Sequence, residues 1–192
     1  MHHIKNVCDK ANKKISALYR IRRFISLEQA QRLCDAYVMS HFRYCSHLWM
    51  FCNKTMGQLV DRTHKRCLRA VSGFSNKYFD DMLEEQNLPS ILRMHINSLL
   101  LEVFKSQNSL SPDFMQDLFS IKILPYRLRS SNLITLPHKL RTVTFGTNAL
   151  HCRCALLWNS LPDSIKCTDS TGQFKALLSS YDVYCTCTLC RF

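Results

Sequence analysis

The sequence predicts a mainly α-helical protein: a basic three-helix bundle followed by a second helical region with a short extended, β-like segment. Three observations carry this. Apolar residues recur at three- and four-residue spacing in successive windows. Capping residues stand just ahead of several of those windows. The 192 residues include only 4 Gly and 5 Pro, so long helices are seldom interrupted. With 46% hydrophobic and 21% charged residues, the chain can bury a core and is neither collagen-like nor low-complexity.

The first helix is expected over residues 4–24. Ile4, Val7, Cys8, Ala11, Ile15, Leu18 and Tyr19 share one face, with Lys5, Lys10, Lys13, Arg20 and Arg23 on the other. Ser26-Leu27-Glu28-Gln29 has the form of a capping box that opens a second helix. Its apolar stripe is expected to run Leu27, Ala30, Leu33, Cys34, Tyr37, Val38, His41, Tyr44, Cys45, Leu48. Asn53 or Thr55 can cap a third, whose buried side is Met56, Leu59, Val60, Thr63, Cys67, Ala70 and Val71, and Gly73 is a natural stop. Short connections then make residues 1–73 an antiparallel bundle.

Residues 74–120 read as a second helical group. Phe79, Met82 and Leu83 mark a short helix ahead of Leu88-Pro89. Ser90 starts a longer one through Ile91, Ile96, Leu99, Leu100, Val103 and Phe104. Ser111-Pro112-Asp113 gives a cap with proline at the first helical position, then Phe114, Met115, Leu118 and Phe119. Residues 121–183 form a C-terminal region. Pro125, Pro137 and the segments Asn132–Leu136 and Arg141–Phe145 suggest extended chain or a loose hairpin near 121–147, and helical spacing returns at 148–159 and 171–178. Residues 184–192 are a cysteine-containing tail without regular pattern.

Charge is the first functional signal. Lys and Arg exceed Asp and Glu by 26 to 14, and residues 1–73 hold 14 of those cations against 4 acids. So local an excess points to a polyanion, most simply nucleic acid. Arg62, Lys65, Arg66 and Arg69 recur at helical spacing beside the third stripe, next to His64. Lys10, Lys13, Arg20, Arg22 and Arg23 add to them from the first helix. Together these nine are the candidate nucleic-acid-binding residues; the competing reading is a solvated helix face. Cations in a row release counterions from phosphates and set position without reading sequence.

Other motifs carry less. Tyr78-Phe79-Asp80-Asp81 matches the Y-x-D-D pattern of polymerases, but Met82-Leu83-Glu84-Glu85 continues it as a helix. A tight hairpin would be needed to aim both carboxylates at a metal, so no catalytic residue is assigned. Cys185-x-Cys187-x-x-Cys190 offers three thiolates at metal-like spacing, and zinc would draw a fourth ligand from His151, Cys152, Cys154 or Cys167. Zinc there is the one cofactor considered. His151 beside Cys152 would point apart on a helix, which disfavours a nucleophilic pair. His41 is read as a core histidine, and Trp49 and Trp158 as core anchors. No glycine-rich phosphate loop is present.

The eleven cysteines fall largely on apolar stripes, where free thiols behave as small hydrophobes. Met1–Asn6 lacks a signal-peptide core, and no run of roughly 20 apolar residues is available to span a bilayer. The expectation is an intracellular protein, nuclear or cytoplasmic, with reduced thiols and no membrane partner.

Several stretches, in consistent order, resemble the C-terminal part of the reverse transcriptase of non-LTR (LINE-like, jockey-type) retrotransposons. They are His3–Cys8, Ala17–Phe24, Ser40–Cys45, Leu48-Trp49, His64-Lys65-Arg66, Tyr126–Arg129, Leu157–Pro162 and Cys185–Cys190. The resemblance implies that residues 1–73 correspond to the thumb, which grips the template–primer duplex, and the rest to the region downstream. The parent family is an RNA-directed DNA polymerase, whose two-metal chemistry needs carboxylates from palm strands. This chain shows no such strands and is expected not to polymerise alone. Rival readings are a helical protein-interaction scaffold, a zinc-stabilised module, or a decayed reading frame without selected function.

Overall fold

The computed structural model describes residues 2–73, 78–119, 133–134, 142, 146 and 149–181. It is mainly α-helical and divides into two compact units, Met1–His95 and Ile96–Phe192.

In the first unit, α1 (His2–Ile21) ends in a 3₁₀ turn, Arg22–Phe24. Its buried face is the expected one: Ile4, Val7, Cys8, Ala11, Ile15 and Leu18. α2 (Leu27–Cys34) opens on the capping box, with Gln29 N–H donating to Ser26 Oγ at 3.2 Å and Ser26 N–H to Gln29 Oε1 at 2.9 Å. α5 (Lys54–Ser72) starts where Asn53 Oδ1 accepts from Met56 N–H at 3.1 Å, so Asn53 rather than Thr55 is the cap. It stops at Gly73, whose φ of +77° is the left-handed position that favours glycine.

The second helix departs from expectation. A π-helical segment, Asp35–Met39, follows α2 and leads into α3 (Ser40–Arg43). The helix then breaks at Tyr44, and left-handed Cys45 (φ 47°) precedes the short α4 (Ser46–Trp49). The buried residues Ala30, Cys34, Val38, Phe42, Ser46 and Met50 fall in steps of four, with Met39 buried next to Val38. A straight α-helix would carry such a row about 40° round its axis per step. The wider π turn offsets part of that drift and keeps the row on the core. Consequently Leu27, Tyr37, Tyr44, Cys45 and Leu48 are exposed, and His41 is half-buried rather than a core histidine. Trp49 packs on the edge of the core, half-buried; Trp158, in the second unit, is buried as expected.

One core joins α1, α2, the π segment, α3 and α5, and it takes in Ile91 as well. Each fully buried Ile, Leu or Phe in it contributes roughly 1.5–3 kcal/mol. The unit extends past the expected bundle. In α6 (Phe79–Glu85), Phe79 meets the His64 ring edge-on at 5.5 Å, and Gln86 just beyond donates to Ser72 Oγ at 2.8 Å. His95 in α7 (Ile91–Gln107) lies 2.9 Å from the Phe42 carbonyl. A carbonyl oxygen only accepts, so His95 carries its proton on Nε2.

The apolar stripes of α2 and α5 face each other where Cys34 meets Cys67, and the two sulfurs are joined in a disulfide, Cα atoms 7.0 Å apart. The sequence reading left both as free thiols. Each stripe is legible in the sequence, but their relative height is not.

The second unit takes α7 from Ile96 onward. α8 (Asp113–Leu118) begins one residue later than expected, with Pro112 at the cap position, and leaves Phe114 and Leu118 exposed. Its neighbour Ser106 donates to the Met115 carbonyl at 2.9 Å. α9 (Leu150–Asn159), α10 (Asp163–Lys166) and α11 (Thr171–Ser180) follow. Phe174 is the pivot of this core, stacked on Phe104 at 4.3 Å and near-parallel to Trp158 at 6.2 Å. Most of the expected extended stretch near 121–147 lies outside the described residues. Of its described part, Ile134 exchanges backbone hydrogen bonds with the Asn159 amide at 3.0 and 3.1 Å. No described helix is long and apolar enough to cross a membrane.

Candidate nucleic-acid interface

On α5 the buried residues Met56, Val60, Thr63, His64, Cys67, Leu68, Ala70 and Val71 occupy the inner half of the helix. At 3.6 residues per turn, positions 62, 65 and 69 fall opposite them and position 66 at the edge of the buried arc. Arg62 and Arg66 are exposed there; Lys65 and Arg69 are half-buried. α1 packs alongside α5, and its Lys10, Lys13 and Arg20, with Arg23 beyond, are exposed.

The nine candidate cations do different jobs. Arg62 folds its Nε–H back onto the Gln58 carbonyl at 3.2 Å, leaving the guanidinium in solvent. Arg66 bridges helices: Nη1 donates to Asn12 Oδ1 at 2.8 Å and Nη2 to Ser16 Oγ at 3.1 Å. Arg69 keeps its Nε buried without a hydrogen-bond acceptor among the described residues. Burial pushes the Tyr19 phenol up, and the nearby Arg66 and Arg69 charges pull the other way. Arg22 is committed to the fold, since it donates to two backbone carbonyls, those of Val71 and Ile25. Arg23 lies over the Phe24 ring, 4.7 Å from its centroid.

Of the four acids in residues 1–73, Asp9, exposed on α1, and Asp61 on α5 lie on these two helices, and the other two lie elsewhere. Glu28 pairs with Arg32 at 2.7 Å along α2, and Asp35 pairs with Arg43 at 2.6 Å. Asp61, on α5 itself, is half-buried, and burial raises its carboxyl pKa. With ten Lys and Arg against Asp9 and Asp61, α1 and α5 together still carry a strong positive excess. Lys14, a further exposed cation of α1, stands 5.9 Å above the exposed Tyr37 ring of the π segment.

His64 is not part of the exposed row. It is 1% exposed, and burial lowers its pKa to about 4, so it is neutral at physiological pH. Tyr78-Phe79-Asp80-Asp81 forms the start of α6, with Asp80 and Asp81 exposed in its first turn, where they complement the helix dipole.

In the second unit, His151 Nε2 approaches Cys152 Sγ to 3.3 Å. The expectation that neighbouring helical side chains diverge is corrected here, because the long His151 ring folds back over the first turn of α9. No nucleophile results: the Cys152 side chain is buried, and burial raises its pKa, keeping the thiol protonated. Cys154 is driven up to about 12 by the same cause. Cys185, Cys187 and Cys190 lie outside the described residues. Among the described residues, no group of three or more His, Cys, Asp or Glu side chains is placed to hold a metal ion.

A feature absent from the sequence reading is a cleft of about 330 Å³ in the first unit, lined on α2 and α5 by Cys34, His64 and Leu68 among others. It lies between elements that are distant in sequence, and no local pattern announces it.

Comparison of the chain with protein-family models, with curated proteins and with solved structures finds no match.

Proposed function

We propose that the opening bundle binds the sugar–phosphate backbone of RNA or an RNA–DNA duplex through the cationic side formed by α1 and α5. On this reading the chain is a thumb-like remnant of a non-LTR retrotransposon reverse transcriptase that grips a duplex and does not polymerise alone. One observation supports it most: Arg62, Lys65, Arg66 and Arg69 stand outside the buried face of α5, and α1, which packs on α5, carries exposed Lys10, Lys13 and Arg20. Contacts of this kind position a helix on phosphates and carry no base specificity.

The test is a salt titration of binding to an RNA–DNA heteroduplex. Four to six phosphate contacts predict a log–log slope of roughly −3 to −5. Reversing Lys10, Lys13, Arg62 and Lys65 to Glu, which spares the bridging Arg66, should abolish binding while leaving helicity intact. A slope near zero, or undiminished affinity in that variant, overturns the proposal.

A further inference from the structure

Cys34 ends α2 and lines the cleft of the first unit, where the other walls include Asp35, Arg43, His64, Leu68 and Gln86. Cys67, its disulfide partner, does not line the cleft; both cysteines are buried, at 0% exposure for Cys67 and 7% for Cys34. Of the two cysteines, only Cys34 borders the cleft. At about 330 Å³ the cleft is at the small end of ligand sites, large enough for a small thiol and too small for a protein thiol's surroundings. Arg32, Asp35 and Arg43 line it, with Arg43 paired to Asp35 and Arg32 to Glu28. Cys8, Cys45, Cys52, Cys152 and Cys154 are free thiols.

We propose that Cys34 and Cys67 form a dithiol–disulfide centre which small thiols and disulfides reach through this cleft, with exchange beginning at the Cys34 sulfur. In reduction, a thiolate attacks Cys34 Sγ, the Cys34–Cys67 bond breaks, and Cys67 leaves as a thiolate that takes up a proton. A second thiol then attacks the external sulfur of the mixed disulfide and frees Cys34. The balance is one protein disulfide plus two thiols giving one protein dithiol and one small disulfide. Oxidation runs the same steps backwards with a small disulfide as the electron acceptor. The bond ties the end of α2 to α5 across 33 residues, so its state bears on how firmly α5 and its cations are held. The proposal stands whether or not those cations bind nucleic acid.

Trypsin cuts at Arg32 and Arg43 and at Arg66 and Arg69, which leaves each cysteine alone in its peptide. The whole chain, reduced and then treated under native conditions with 2-hydroxyethyl disulfide, should yield the Cys34 and Cys67 peptides joined. In Cys67→Ser, Cys34 should carry the hydroxyethyl adduct. In Cys34→Ser, Cys67 should stay unmodified until the protein is denatured. If either variant fails to fold by circular dichroism, the reduced wild-type chain decides: N-ethylmaleimide should label Cys34 at least roughly tenfold faster than Cys67. No joined peptide, or equal reactivity of the two sulfurs, overturns the proposal.

Discussion

Arg22, in the turn that follows α1, donates its Nε–H to the carbonyl of Val71, 2.6 Å away in the last turn of α5. Its Nη1 also holds the Ile25 carbonyl at 2.9 Å. The last carbonyls of a helix lack partners within it, and a guanidinium there satisfies one while opposing the negative end of the dipole. Replacing Arg22 with Ala should therefore cost about 2 kcal/mol in urea unfolding, as expected for a half-buried hydrogen bond from a charged donor. An unchanged midpoint would refute that role.

Arg62 and Arg66 share a helix face and should behave differently. Arg62→Ala should leave stability within about 0.5 kcal/mol. It should lower the magnitude of the salt slope for heteroduplex binding by about one. Arg66→Ala loses the Asn12 and Ser16 contacts as well, so both unfolding free energy and binding should fall. Identical unfolding curves for the two variants would contradict the assignment.

Acid should weaken the first unit. His64 and His95 are buried and neutral, with pKa lowered from 6.5 to about 4 in both. Between those values the unfolded chain binds protons that the folded chain refuses, so stability falls as pH drops through that window. Each ring accounts for roughly 3 kcal/mol by the time pH 4 is reached. Asp61, whose carboxyl is raised by burial, works in the opposite sense and offsets part of the loss. His64→Phe should flatten the pH dependence of the urea midpoint between pH 6.5 and 4; an equally steep profile would count against the burial argument.

Phe174 should dominate the second unit. It is fully buried and stacked on Phe104, so Phe174→Ala should cost about 3–5 kcal/mol through lost burial and the cavity left behind. Leu177, 41% exposed on the same helix, is the control, and its replacement by Ala should cost much less. Equal losses in thermal unfolding would show that the stack is not the pivot.

The helix ends were readable because each is set by one or two local residues. Ser26 with Gln29, Asn53 and Gly73 act where the sequence places them. The buried faces of α1 and α5 were readable for a similar reason, since both helices are regular and the 3.6-residue period holds from end to end. The second helix was not. Its π segment shifts the phase, so a stripe extrapolated from Ala30 and Cys34 arrives at His41 and Tyr44, where the chain buries Phe42 and Ser46. The cation row was found as a set, but its division into solvent-facing and bridging members was hidden. Arg66 is separated from Asn12 by 54 residues and Arg22 from Val71 by 49.

By itself, the order of residues determined the helical class, most helix boundaries and the concentration of positive charge in the first 73 residues. These depend on near neighbours, on capping groups and on a periodicity of a few residues. Only the tertiary structure decided which cations brace helices, that Cys34 meets Cys67, that His64 turns inward, and that a cleft opens beside them. Each of those depends on how high one helix sits against another, and packing of whole faces sets that height, which no local window of sequence contains.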